Sequence, residues 1–296
     1  MDEAMAAPEA LVAGWAEHRP AVFGVAYRLL GSVADAEDVV QDVWLRAAGA
    51  DLGEVADLRA WLVTVAARRA YDILKSARVR RESYVGPWLP EPLLTGSDAS
   101  EPVLVDESVG TAMLLVMERL SPPERVAFVL HDVFGVEFGQ IAEVLGSSPA
   151  AARKLASRAR RRVTEEREPA PLTRAERERL VTAFRAAYET GDLATLVSLM
   201  HPDAVYTTDG GGQVHAARKL IRGGQRIAGV LVRVGRRWAP NRIDLVEVGG
   251  EPALLFHRMG RVFAVDTFDF ADGRIIAYRR VLNPEKLTHL QAVTPG

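Results

Sequence analysis

Apolar residues recur at the spacing of α-helices over about residues 10–82 and 107–167 of the chain. The strongest pattern predicts a helix over Asp35–Arg46, which Ser32 or Asp35 can cap. Three acids fall at i, i+3 and i+7 and share one exposed face: Asp35, Asp38 and Asp42. This face is read either as a solvated acidic surface or as a docking surface for a basic partner.

A second helix is predicted over Leu58–Arg81. Its residues at core spacing are Trp61, Leu62, Val65, Ala66 and Ile73. Six cations crowd its outer face and its C-terminal end: Arg68, Arg69, Lys75, Arg78, Arg80 and Arg81. The helix dipole favours two or three cations at a C-terminus, so the remainder indicate a surface for phosphate.

The next helical region has the form helix, turn, helix. Ser121-Pro122-Pro123-Glu124 predicts a helix start, Gly146 ends the following short helix, and Ser147 or Ser148 caps a helix over Pro149–Val163. This spacing fits a helix-turn-helix whose last helix enters a major groove. Leu155 and Ala159 are expected to face inward. The residues expected to face DNA are Arg153, Lys154, Ser157, Arg158 and Arg161.

The remainder of the chain changes from a helical to a strand-rich pattern. A connector rich in proline and glycine covers residues 83–106, and Glu168-Pro169-Ala170-Pro171 forms a second break. After two amphipathic helices come five strand-like runs separated in part by glycine turns: Ala204–Thr208, Arg242–Val248, Ala253–His257, Val262–Phe270 and Ile275–Leu282. The order predicts an α+β domain with helices packed on a curved antiparallel sheet.

Composition removes several classes of function. The chain has no cysteine, which excludes disulfides, thiolate zinc sites and a cysteine nucleophile. The net charge is −2, so the positive charge is local rather than global. No signal-peptide pattern and no run of about 18 apolar residues is present, so a cytoplasmic protein without membrane contact is expected.

Three short motifs carry a family resemblance. They are Trp-Leu-Pro-Glu-Pro at Trp88–Pro92, Asp-Gly-Gly-Gly at Asp209–Gly212 and Asn-Pro-Glu-Lys-Leu at Asn283–Leu287. With the helical segments, they resemble the extracytoplasmic-function sigma factors that carry a C-terminal SnoaL-like domain. The resemblance implies two all-α sigma domains, the second a helix-turn-helix, and an α+β cone-shaped barrel. The implied boundaries are 8–82 for sigma-two, 83–106 for the linker, 107–167 for sigma-four and 172–292 for the SnoaL-like domain.

The resemblance also implies partners and site residues. The clamp helices of the largest subunit of core RNA polymerase would bind one set: Asp35, Asp38, Gln41, Asp42, Trp44 and Leu45. Promoter DNA would bind Trp61 and the cations already named on the second helix, with Arg153, Lys154, Ser157, Arg158 and Arg161 at the minus-thirty-five element. Regulatory contacts would be made by Trp88, Leu89, Pro90, Glu91, Pro92, Asp209, Gly210, Gly211, Gly212, Asn283, Pro284, Lys286 and Leu287.

The C-terminal domain is expected to regulate the sigma factor in place of a separate anti-sigma protein, with the linker packed against it. Three alternatives stay open: a small-molecule ligand in this domain, a conventional operator-binding regulator, and a cyclase-like enzyme. The polar residues available to an enzyme are His201, Tyr206, His215, His257, Asp266 and Asp269. Because no pair has a spacing that fixes acid and base roles, no enzyme, catalytic residue, metal or cofactor is expected. The free protein is expected to be a monomer.

Overall fold

A computed structural model of the chain describes residues 9–53, 55–82, 84–96, 111–165 and 172–292. For 9–13, 77–82, 165 and 292 it describes the backbone alone. The chain divides into two compact units, one helical and one built around a sheet. Within the described ranges, no helix has the length and hydropathy needed to cross a membrane.

The helical unit begins with three long helices: α1 (Glu9–Leu30), α2 (Val33–Ala48) and α3 (Leu58–Glu82). α1 and α2 pack on each other through Val22, Val25 and Leu29 on the first and Val39 and Val43 on the second, all fully buried or nearly so. The predicted helices are therefore present, and each extends one or two residues beyond its sequence-based limits.

Four further helices complete this unit: α4 (Thr111–Glu118), α5 (Pro122–Phe128), α6 (Phe138–Leu145) and α7 (Pro149–Glu165). A π-helical turn, Val129–Val133, continues α5. Gly146 ends α6 in the left-handed region at φ 59°. The Oγ of Ser148 accepts a hydrogen bond from the Ala151 N–H at 3.2 Å, so Ser148 rather than Ser147 caps α7.

The second unit contains linker residues 84–96 and everything described from residue 172 onward. Its helices are α8 (Arg174–Thr190), α9 (Leu193–Leu199), α10 (Gly224–Trp238) and a 3₁₀ helix (Pro284–Ala292). Its strands are β1 (Leu94–Thr95), β2 (Met200–Asp209), β3 (Ile221–Arg222), β4 (Arg242–Val248), β5 (Glu251–Arg258), β6 (Arg261–Ala271) and β7 (Arg274–Val281).

The seven strands form one sheet in the order β1-β4-β5-β6-β7-β2-β3. β4 to β7 form the predicted antiparallel meander, with Leu245 opposite Leu254 and Phe268 opposite Tyr278. β2 pairs with β7 in parallel, so the prediction of a purely antiparallel sheet was wrong. The reason is topological. β2 lies beside β7, at the end of the meander opposite to β4, and the chain crosses from β2 to β4 through β3 and α10.

The core of the second unit is aromatic. Phe184 and Tyr188 of α8 lie against Phe268, Tyr278 and Phe256 of the sheet, with ring centroids 5.0 to 5.3 Å apart for the contacts that join the helix to the sheet. Such rings stabilise the core through the apolar area that they bury and through the edge-to-face and offset arrangements that aromatic pairs prefer. This core holds the strand ends from which the loop at Asp209–Gly212 and the segment after β7 project.

Candidate nucleic-acid interface and linker contacts

The acidic face of α2 is only partly available to a partner. Ser32 caps the helix, since its Oγ accepts a hydrogen bond from the Asp35 N–H at 3.1 Å. Asp38, Gln41 and Leu45 are exposed on one side, and Leu45 leaves 68% of its surface in water. Asp35 is half-buried. An exposed leucine beside a carboxylate is the arrangement of an apolar anchor with a polar rim.

Two residues assigned to that face make contacts inside the unit instead. Asp42 Oδ2 accepts a hydrogen bond from Arg69 Nε at 2.6 Å, which joins α2 to α3. Trp44 lies edge-on against Trp15 at 4.9 Å between ring centroids. Of the two apolar residues expected on this face, Trp44 and Leu45, Leu45 is the exposed one.

α3 turns a different set of residues to the core than its sequence suggested. The buried residues are Leu62, Val63, Ala66, Ala67, Ala70 and Leu74. Trp61, Val65 and Ile73 are only half-buried, so their assignment to the core was only partly right. The helix packs through small alanines, which lets its neighbours approach closely, and Trp61 keeps part of its ring in solvent.

The cations of α3 are not equivalent. Arg68 is exposed, and Arg69 is occupied by Asp42. Lys75 is paired with Asp72 at 2.8 Å, and its Nζ lies 4.3 Å from the centroid of the Tyr71 ring. The hydrogen bond that Lys75 donates to Asp72 raises the pKa of Lys75. The side chains of Arg78, Arg80 and Arg81 lie outside the part of the chain that the structure describes.

α7 presents its polar residues on the side away from the core. Ala152, Ala156, Ala159 and Val163 are buried. The residues expected to face DNA are all exposed: Arg153, Lys154, Ser157, Arg158 and Arg161. Leu155 is half-buried, so its inward assignment was only partly right. Arg153 lies 5.0 Å from the centroid of the Phe138 ring, which fixes its stem against α6.

Glu124 fastens α7 to α5. Its Oε2 accepts hydrogen bonds from Ser121 N–H at 3.0 Å and from Arg162 at 3.0 Å, and Arg158 Nε lies 3.8 Å from its Oε1. Burial alone would raise the pKa of Glu124, but the bonds from Ser121 and the two guanidinium groups outweigh burial and lower it. Glu124, which forms the capping box of α5 with Ser121, therefore also orients two arginines of α7.

Arg125 joins the early and late helices of the helical unit. It is 2% exposed and donates to the carbonyl oxygens of Met117 at 2.9 Å and Leu29 at 2.7 Å, while its Nη2 lies 2.6 Å from Glu118 Oε1. Arg28 lies 5.4 Å from the centroid of the Phe134 ring beside it. α1 and α5 are thus held together by a buried guanidinium and not by apolar packing alone.

In the second unit, Asp209 binds the linker. This carboxylate is fully buried, and each of its oxygens accepts from the linker. Oδ1 accepts from the Tyr84 hydroxyl at 2.6 Å, and Oδ2 accepts from the Leu89 N–H at 2.8 Å. Burial, and then the bond to Asp209, raises the pKa of Tyr84, so the phenol stays protonated and remains a donor.

Lys286 completes this contact from the segment after β7. Its Nζ lies 2.8 Å from Asp209 Oδ2 and also donates to the Leu89 carbonyl oxygen. The ammonium lies 4.2 Å from the centroid of the Trp88 ring. Asn283 donates to the Tyr84 hydroxyl at 2.9 Å. We refer to Tyr84, Leu89, Asp209, Asn283 and Lys286 as the linker clasp.

The three glycines after Asp209 make room for this clasp. Gly211 has φ +60°, and a Cβ there would lie 2.4 Å from the Asn283 amide nitrogen. Gly212 has φ +74°, and its Cβ would lie 3.1 Å from Val85 of the linker. A Cβ at Gly210 would lie 2.9 Å from the Val214 carbonyl oxygen. Two of these three neighbours, Asn283 and Val85, lie far along the chain from the loop.

Linker residues beyond the clasp also join the second unit. β1 pairs with β4, placing Leu94 opposite Val248. Thr95 donates to Glu247 Oε1 at 2.6 Å, and this bond, ahead of the charge of Arg174, lowers the pKa of Glu247 against the effect of burial. His289 Nε2 lies 2.8 Å from the Pro92 carbonyl oxygen. Leu89, Pro90, Pro92 and Leu287 are buried, whereas Trp88 and Glu91 are half-buried and Pro284 is exposed.

The polar residues considered for an enzyme have other partners. Asp266 and Arg280, both buried, form a two-point ion pair, and the Tyr278 hydroxyl donates to the same carboxylate at 2.5 Å. Asp269 pairs with Arg279, and His257 Nε2 lies 2.9 Å from Asp244. Tyr206 stacks on Tyr278, His201 is half-buried and His215 is exposed. Among the described residues, no group of three or more potential ligands could hold a metal ion.

Three family models match the chain: Sigma-70 region 2 at residues 15–80, Sigma-70 region 4 at 111–163 and the SnoaL-like domain at 181–278. The ECF RNA polymerase sigma factor SigJ of Mycobacterium tuberculosis (strain ATCC 25618 / H37Rv) is 43% identical over 288 residues, with 91% of each chain covered. The chain belongs to the extracytoplasmic-function RNA polymerase sigma factors.

Two further comparisons agree with this assignment. The probable ECF sigma factor SigI of the same strain is 32% identical over 290 residues, covering 96% of this chain and 97% of that one. The crystal structure of M. tuberculosis SigJ superposes with a TM-score of 0.76 at 39% identity, covering 94% of this chain and 98% of that one. The sigma factor has helical sigma domains followed by a SnoaL-like domain, and it is a transcription initiation factor and not an enzyme.

Several residues of this sigma factor that position its surfaces carry no local sequence signal. Arg125, Thr95 and Glu247 each bind partners far along the chain. Tyr84 precedes the Trp-Leu-Pro-Glu-Pro motif by a few positions, and its role depends on Asp209, which is 125 residues away. A pairing between a linker tyrosine and a buried carboxylate becomes visible only once the fold brings them together.

Proposed function

We propose that the SnoaL-like unit regulates this sigma factor through the linker, in place of a separate anti-sigma protein. In this proposal the linker clasp fixes the path of the chain that leaves the sigma-two domain and enters the sigma-four domain. Fixing the linker limits the arrangements that the two DNA-binding domains can adopt. A signal that opens the clasp would change promoter activity.

The observation that carries this proposal is the burial of Asp209 with two linker donors and Lys286. A buried carboxylate is costly unless its hydrogen bonds are made, so the linker supplies bonds that Asp209 requires. Asp209 and the linker therefore depend on each other. Without the linker, Asp209 lacks two of its hydrogen-bond donors, and without Asp209 the linker loses the acceptor that holds it. Such coupling is what a regulatory contact needs.

In vitro transcription with core RNA polymerase tests the proposal. The full-length protein is compared with an Asp209→Asn variant and with a chain that ends at residue 171. Both changes should alter promoter-specific transcript yield severalfold. Asp272→Asn, at an exposed acid of the same unit, serves as the control and should leave the yield unchanged. Equal yields from all four proteins would remove the regulatory role while leaving the sigma-factor assignment intact.

We further propose that α2 binds the clamp helices of the polymerase largest subunit through Asp38, Gln41 and Leu45. The exposed Leu45 supports an apolar anchor, and the carboxylates suit a basic coiled coil. Asp42 is held by Arg69, so its contribution is partly internal. Asp38→Arg combined with Leu45→Ala should abolish co-purification with core enzyme, whereas Glu143→Arg, an exposed acid on α6, should not. Retained co-purification of the first variant would refute this docking face.

We propose the DNA contacts from the side chains that α3 and α7 leave accessible. α3 and the loop before it would help open the minus-ten element, with Trp61 and Arg68 presented to the strand. α7 would read the minus-thirty-five element with Arg153, Lys154, Ser157 and Arg158. Arg158→Ala should weaken binding to a minus-thirty-five duplex in a gel-shift assay. Because Arg158 also lies near Glu124, a melting curve must show that the domain is still folded.

A further inference from the structure

In the second unit, the charged side chains of the segment between Asp209 and Asp244 are all positive. Between Asp209 and Asp244 there is no aspartate or glutamate. The same stretch holds eight cationic residues: Arg218, Lys219, Arg222, Arg226, Arg233, Arg236, Arg237 and Arg242. All eight are exposed, in a protein whose net charge is −2.

These cations differ from others of the same unit in lacking partners. In the part of the chain that the structure describes, only Arg242 among the eight forms an ion pair, with Asp244. By contrast, Arg174 and Arg177 on α8 bind Glu247 and Glu251, and Arg280 binds Asp266. The segment therefore keeps its positive charge unneutralised by the protein itself.

α10 arranges three of the eight cations in a stripe. At about 100° per residue, Arg226, Arg233 and Arg237 lie within about 40° of one another and extend over about 16 Å of helix axis. The buried residues of this helix, Ile227, Ala228 and Leu231, lie on the other side against the sheet. Arg226 and Arg274, the first residue of β7, border one cleft.

The electrostatics of α10 itself do not explain the stripe. A helix C-terminus attracts cations, which accounts for Arg236 and Arg237 in the last turn. A helix N-terminus repels them, yet Arg222 precedes α10 and Arg226 lies in its first turn. The dipole of α10 therefore accounts for the positive charge at the C-terminal end of the helix and not for that at its N-terminal end.

We propose that this surface of the SnoaL-like unit binds the phosphate backbone of duplex DNA, independently of base sequence. Seven of the eight residues are arginine, whose planar fork fits phosphate oxygens in two-point contacts. Exposed and unpaired cations in a row are the footprint that phosphate contacts require. Because the unit is part of the same chain as the promoter-binding domains, even weak phosphate contacts would add to their affinity.

The test uses the full-length protein and a mixed-sequence DNA duplex without core polymerase, read by fluorescence anisotropy at several salt concentrations. Arg226→Gln, Arg233→Gln and Arg237→Gln are introduced together. The slope of log affinity against log salt should fall in magnitude by about two to three, with at least about a tenfold loss of affinity at 0.1 M salt. The matched control replaces Arg179, Arg258 and Arg261, three exposed arginines of the same unit, by glutamine. It should leave the slope within about one of the original.

A lysine variant separates charge from structure. A triple variant, with Arg226→Lys, Arg233→Lys and Arg237→Lys, keeps the charge and should therefore retain the original salt slope. If the glutamine variant lost slope only because its structure was disturbed, the lysine variant would not retain it. Equal slopes for the glutamine variant and the original protein would overturn the proposal. So would unchanged DNA binding together with weaker co-purification of the glutamine variant with core polymerase in a separate measurement, because that outcome assigns the surface to an acidic protein. The assay contains no polymerase, so its result does not depend on the regulatory role of the linker clasp.

Discussion

Two aspartates of the SnoaL-like unit are buried to the same degree and serve different purposes. Asp266 and Asp209 are both 0% exposed. Asp266 takes its partners from β7, with Arg280 14 residues and Tyr278 12 residues away. Asp209 takes its partners from the linker and from the segment after β7, which are 120 and 77 residues away for Leu89 and Lys286. The first pair fixes two neighbouring strands, whereas the second fixes a segment that enters from another part of the chain.

Burial alone therefore does not identify a regulatory contact. What separates the two sites is whether their donors can leave without unfolding the unit. The donors of Asp266 lie within the sheet, and opening that pair disrupts the core. Two donors of Asp209 lie on the linker, and opening that contact need only release a connector.

The largest expected effect concerns Asp266. Asp266→Asn leaves the Arg280 guanidinium buried without its counter-charge, which should lower the free energy of unfolding of the second unit by about 3–5 kcal/mol. Urea unfolding followed by near-ultraviolet circular dichroism measures this loss. Asp269→Asn is the control, since its partner Arg279 is part of a more exposed pair and the loss should be about 1 kcal/mol or less. Similar losses in both variants would contradict a structural role for the Asp266 pair.

Asp209→Asn should lower the free energy of unfolding by less than Asp266→Asn does, but it should detach the linker from the second unit. The amide keeps one acceptor but loses the charge opposite Lys286, so we expect a loss of about 2–3 kcal/mol. The linker should then become sensitive to chymotrypsin at Tyr84 and Trp88, while Asp266→Asn tested below its unfolding transition should not expose these sites selectively. A linker that stays protected in Asp209→Asn would contradict the difference between the two aspartates.

A glycine substitution sharpens the comparison by disturbing the clasp sterically. Gly211→Ala introduces a Cβ 2.4 Å from Asn283 at a φ of +60°. Gly260→Ala is the matched control, because Gly260 has φ +73° and nothing within 4 Å of its Cβ position. Both variants carry the backbone cost of about 1–2 kcal/mol, so the clash should make Gly211→Ala less stable than the control by at least about 1 kcal/mol. Equal melting temperatures would show that Asn283 moves aside freely.

Local signals in the sequence were enough for much of the fold. The Ser-Pro-Pro-Glu start at Ser121, the stop at Gly146 and the glycine turns between β4 and β7 are each decided by neighbours in sequence, and each is present. The three motifs likewise drew attention to the linker and the glycine loop before their contact was known.

The remainder depends on partners far away in sequence. β1 is two residues long and exists because Leu94 and Thr95 meet β4 about 150 residues later. α10 was missed because Gly223, Gly224 and Gly229 interrupt a pattern that tertiary packing then stabilises. The pair between Asp42 and Arg69 was missed because each residue was assigned to an outside partner. A charge pattern in a sequence does not show which charges neutralise each other.

The smallest expected effect lies in the helical unit, where Glu124 is a third buried carboxylate with a different origin. Its donors come from its own capping box and from α7, and together they lower its pKa below the ordinary value of 4.5. A lowered pKa means that ionised Glu124 stabilises the fold above that value and that this stability is lost as the pH falls through the folded-state pKa. Glu124→Gln should therefore lower the free energy of unfolding by about 1 kcal/mol at pH 7 and flatten its decline in acid. Denaturant titrations of the wild type, Glu124→Gln and the exposed-acid control Glu143→Gln at several pH values measure both effects. If the wild type and Glu124→Gln decline in parallel, the Glu124 carboxylate does not hold α7, and the orientation of Arg158 and Arg162 must come from the alanine packing of α7 alone.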